Sequence, residues 1–65
     1  MLLTVIKLHY RNIEYLGDSV YIAKSDHELI IFTSNNGYSA ENIILFEPSV
    51  GLTLAKYLQK AGLKV

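Results

Sequence analysis

The chain has 65 residues, half of them apolar, with six basic and six acidic side chains, two histidines and no cysteine. That composition excludes a disulfide framework, a thiolate metal site, a cysteine nucleophile and a histidine-only zinc cage. Balanced charge argues against a generic nucleic-acid binder, and no apolar run approaches the roughly 18 residues that span a membrane.

The length predicts one domain over residues 1–65, near the lower limit for a chain that folds without staples. The opening "MLLTVIKLHY" is broken by Lys7 and lacks a basic n-region and a small-residue cleavage site. It reads as an uncleaved start, in a cytoplasmic protein with no membrane association. The same segment, about Leu2 to Tyr10, is expected to form a first strand. A turn at Arg11-Asn12 would separate it from Ile13 to Leu16, unless the two make one long bent strand.

Segments rich in Val, Ile, Tyr and Phe then alternate with turn signals, as a pleated sheet requires. Gly17-Asp18 fits the start of a type II′ hairpin and Asn36-Gly37 fits type I′, with Asp26-His27 as the middle turn. Pro48 has φ preset for a first helical turn. Val50, Leu54, Tyr57, Leu58 and Ala61 follow at helical spacing, and Gly62 supplies the cap. Gly51 sits inside this helix, as a weak spot or as a point of close packing. The fold expected is α+β: a small antiparallel β-meander of four to five strands, then one C-terminal helix from about Pro48 to Ala61 packed on the sheet.

With two-residue turns, alternation puts Ile13, Tyr15, Val20, Ile22, Leu29, Ile31 and Ile44 on one face of the sheet. Leu16, Tyr21, Ala23, Ile30, Phe32, Ile43 and Leu45 fall on the other. Both faces are apolar, whereas an antiparallel sheet with one wet face alternates apolar with polar. One helix covers two or three strands on one side, being ~10 Å wide against strands ~4.8 Å apart. The second face therefore calls for another cover: a curled first strand, or a partner chain.

Chemistry is sparse. Asp26-His27-Glu28 is the only tight ionisable cluster, and it reads as a solvated turn because its side chains do not converge. His9 reads as structural. No serine sits in a nucleophile elbow, and no phosphate loop, dinucleotide fingerprint or zinc-protease motif is present. No enzyme activity and no cofactor or metal are expected. Lys56, Lys60 and Lys64 form an i, i+4, i+8 row that reads as a solvent face at the negative helix end; its alternative is a phosphate grip. Leu52 projects from the helix's polar side. Asn35, Asn36 and Tyr38 make "SNNGYS" the candidate recognition loop, because tyrosine buries area while keeping a polar tip. Tyr10, near a turn, is not expected in the core.

"MLLTV" and "LGDSVYI" resemble the carbon storage regulator family, whose members are small β-rich swapped dimers that bind RNA. That resemblance implies RNA regulation, but the family's basic character and its arginine near the helix start have no counterpart here. Glu47 and Pro48 stand there instead, and no family is assigned. The function expected is a non-catalytic binding module, a homo-oligomeric regulator or inhibitor and most simply a homodimer. It would engage a protein or small ligand at subunit boundaries; tiny cysteine-free chains of this kind are common among phage and mobile-element regulators and inhibitors. The alternative is a nucleic-acid-binding regulator using the lysine row.

Overall fold

The computed structural model describes residues 1–63. Helix α1 (Leu3–His9) is followed by strands β1 (Arg11–Gly17), β2 (Val20–Lys24), β3 (Leu29–Thr33) and β4 (Glu41–Phe46), then by helix α2 (Pro48–Lys60). The strands form one open antiparallel sheet in the order β1-β2-β3-β4. The α+β meander and its C-terminal helix are as the sequence predicts.

The first segment is not a strand. Leu3 and Ile6 of α1 are buried, and Tyr10 just beyond it packs against the same cluster with Ala23, Ile30, Phe32 and Ala40. Their spacing of three and four is that of one helical face. A two-turn helix has little stability of its own, so burial of this face holds it. Backbone bonds fix its start: Leu3 N–H donates to the Tyr38 carbonyl at 2.8 Å, and Ala40 N–H donates to the Met1 carbonyl at 2.7 Å. Tyr10 is half-buried and borders this core without belonging to its buried set.

The middle hairpin closes as predicted, with Lys24 opposite Leu29 and Ala23 opposite Ile30. Ser25 Oγ accepts the His27 and Glu28 N–H groups across this turn. The first hairpin turns one residue later than expected. Gly17 pairs with Val20, and Asp18 and Ser19 are the central residues, both with positive φ, as type I′ requires. That slip moves Ile13 and Tyr15 to the face opposite the one assigned from alternation. The gain is aromatic: Tyr15 meets Tyr21 at 5.1 Å between ring centroids, and Tyr21 stacks on Phe32 at 5.4 Å.

The third connection is wider than a two-residue turn. Thr33 pairs with Glu41 and Ile31 with Ile44, with a bulge between them where Asn42 has positive φ. Residues 38–40 bond to the chain start rather than to β3. The shift of two residues preserves side-chain parity, so Ile31 and Ile44 still share a face.

α2 ends in a Schellman motif, with Gly62 N–H bonded to the Gln59 carbonyl and Leu63 N–H to that of Leu58. It lies on the face opposite α1. A Cβ at Gly51 would stand 3.4 Å from Phe46 Cε2 and 3.7 Å from Leu29 Cδ1, so this glycine does mark close packing. The contact is shallow, however, and no residue of α2 is fully buried. The interior belongs to α1, and the helix expected to build the core only borders the second face.

Candidate functional site

The second face of the sheet carries Leu29, Ile31, Ile44 and Phe46, and α2 borders these side chains without covering them all. Ile31, Ile44 and Phe46 form the floor of a groove of about 260 Å³, and Val50 and Leu54 form its wall. No charged residue lines it. Ile44 is 59% exposed, and Val50 and Leu54 are exposed as well. Of α2, Gly51, Ala55 and Leu58 are half-covered, while Tyr57, expected on the buried stripe, stands in solvent. Large contiguous apolar patches are uncommon on soluble monomers, and here the exposed apolar side chains of β4 and α2 line one trough.

A second hollow lies where α1 meets the β2–β3 turn, lined by Val5, Ile6, His9, Tyr10, Ser25 and Glu28 with Met1 at its rim. Tyr10 Oη donates to Glu28 Oε1. That bond, then desolvation and the carboxylate's charge, hold the Tyr10 phenol above its ordinary pKa of 10.0. The bond's stabilisation is present below the unfolded phenol's pKa and is lost as pH rises through the higher folded value. Nearby, Arg11 Nη2 bonds Asp26 Oδ1 at 2.5 Å on the open surface. This bond and the guanidinium charge lower the Asp26 pKa. The pair is present above the ordinary aspartate range and fades as pH falls through the folded value. Both interactions are accounted for as pins between α1, β1 and the turn. Among the described residues no three His, Asp or Glu side chains gather to hold a metal ion.

The residues singled out from the sequence fall in two places. Asn35, Asn36 and Tyr38 lie on the exposed β3–β4 loop, with Tyr38 76% exposed. Asn36 Oδ1 accepts the N–H groups of Tyr38 and Ser39 at 2.8 and 3.0 Å, which makes the tip an ordered Asx turn. Leu52, Lys56 and Lys60 are exposed along α2, and Lys64 lies outside the described residues. No hydrogen bond among the described residues joins the loop to α2. The groove residues Ile31, Ile44, Phe46, Val50 and Leu54 were legible only as apolar periodicity; their alignment depends on the β3–β4 bulge, which carries no local signature beyond Asn42.

Compared with known proteins, the chain matches no family model, and no curated protein or solved structure gives a significant match. No helix among the described residues is long and apolar enough to cross a membrane.

Proposed function

We propose that this chain is a non-catalytic interaction module that works as a small homo-oligomer, most simply a dimer, and engages a protein or small ligand at the subunit boundary. The open groove carries this reading. Burying each of its large side chains is worth roughly 1.5–3 kcal/mol, against a net stability of only a few kcal/mol for so short a domain. The fully buried hydrophobic set is small: Leu3, Ile6, Ala23, Ile30, Phe32 and Ala40. Association is the usual supplement for chains with so little interior. A regulator or inhibitor is the role that fits a module whose main surface feature is an exposed apolar groove.

Sedimentation equilibrium at micromolar concentration tests the proposal, with a dimer expected. Ile44→Lys should give a folded monomer, because its side chain is already half in water. Phe32→Lys should unfold the chain, because that site is sealed under α1. A stable wild-type monomer overturns the oligomeric reading.

A further inference from the structure

We propose that two copies join edge to edge through β4, antiparallel across a two-fold axis, with Leu45 facing its own twin. The inference rests on the oligomeric reading above and specifies how the oligomer is built.

A four-stranded open sheet has two edges, here β1 and β4. The β1 edge is blunted. Its register shifts twice, Asn12 and Gly17 have positive φ, and Arg11 and Glu14 place charges along it. Bulges and charges of this kind are how proteins keep an edge from pairing. The β4 edge lacks them after its bulge at Asn42. From Ile44 to Phe46 it runs in unbroken register with β3, and Ile43–Phe46 contains no proline and no charge. Among the described residues, no backbone bond reaches Ile43–Phe46 from outside the sheet. Among the described residues α2 makes no backbone bond to Ile43–Phe46, and Ile44 and Leu45 on this strand stay exposed.

Exposure separates an edge contact from a face contact. Ile44 and Leu45 point to opposite faces, yet Leu45 is 54% exposed, nearly as much as Ile44. A subunit stacked on the groove would shelter Ile44 and leave Leu45 in water. A strand laid alongside β4 shelters both.

The bulge then sets the register. A two-fold axis normal to the sheet keeps each face on its own side, so β4 centres on either Ile44 or Leu45. Centring on Ile44 sets Asn42, the bulged residue with positive φ, opposite the partner's Phe46, twice, and a bulge breaks the ladder there. Centring on Leu45, the middle of the unbroken stretch, keeps the pairing clear of the bulge and sets Ile44 opposite the partner's Phe46. The sheet then has eight strands, and the two apolar grooves meet along the axis as one trough between the α2 helices. That trough is the subunit boundary at which a ligand would sit.

The absence of cysteine makes the test direct. Leu45→Cys supplies a single thiol close to its twin, and oxidation or a short bis-maleimide should convert most of the protein to a covalent dimer. Ile44→Cys should cross-link several-fold less. As a thiol-independent check, Leu45→Lys should weaken self-association at least tenfold while far-UV circular dichroism stays unchanged. If Ile44→Cys links better, the register is overturned. If the wild type is dimeric but Leu45→Lys leaves it so and Leu54→Cys links instead, the copies meet through their faces. The edge proposal then falls while the oligomeric reading stands. A wild-type monomer overturns both.

Discussion

Gly37 shows how much a single position controls and how much it leaves open. Its φ is +76°, and a Cβ built there meets nothing within 4 Å. The cost of a side chain is therefore conformational rather than steric. Gly37→Val should destabilise the fold by about 1 kcal/mol or more, read as a lower urea midpoint with unchanged slope. An unchanged midpoint would mean the loop re-forms around a different residue. The Asn-Gly pair announces this turn, but the loop's width is set elsewhere. Ser34, buried, donates its N–H to the Ser19 carbonyl, and residues 38–40 bond to Met1 and Leu3. No window around Gly37 contains those partners. Tyr15 is similar: its register sets its ring in a tilted contact with that of Tyr21 across the sheet, a partner that the Gly-Asp turn signal does not contain.

At the scale of elements, α1 is the instructive case. "LTVIKLH" contains three β-branched residues, and its segment also alternates well enough to read as a strand. Two helical turns are too few for a 3.6 period to outweigh that composition. What decides is the sheet, which needs a cover and takes Leu3, Ile6 and Tyr10 as one stripe. In a strand Ile6 and Leu8 would share a face, whereas in the helix they do not. Ile6 is sealed, while Leu8 is 80% exposed. Ile6→Lys should therefore unfold the chain and Leu8→Lys should leave its thermal midpoint within about 4 °C, since surface changes rarely exceed ±0.5 kcal/mol. Equal damage from both would restore the strand. α2, by contrast, was readable from end to end. Pro48 opens it and Gly62 closes it with local bonds. Only its depth was misjudged, because depth depends on where the neighbouring elements go.

For the whole molecule, the apolar character of both sheet faces was legible from alternation, and so was the need for a second cover. Which helix covers which face was not, since that required knowing that a second helix exists. Charge is also a whole-molecule property. All acidic residues lie between Glu14 and Glu47, and Lys56 and Lys60 stand exposed on α2 beyond them. If the lysine row gripped phosphates, binding would fall steeply with salt and vanish when Lys56, Lys60 and Lys64 become glutamine. We expect no appreciable RNA or DNA binding near physiological salt in a filter-binding titration. Submicromolar, salt-sensitive binding there would make the lysine row the working surface.

The meander has a consequence for how the chain assembles. Every strand pairs with its neighbour in sequence, so each hairpin closes a short loop and forms early, as low contact order dictates. The bonds between residues 1–3 and 38–40 are different: they close most of the chain's length and gain nothing until β3 and its loop are in place. Contact order therefore predicts that α1 docks last and lifts first, with the Leu3 and Ala40 amides exchanging faster than those of β2 and β3 as the check. While it is lifted, Ile30 and Phe32 lose their cover, and for that interval the sheet is open on both sides. Assembly between copies then competes with closure within one, and the rate at which seven residues settle decides how often a young chain meets another before it has sealed itself.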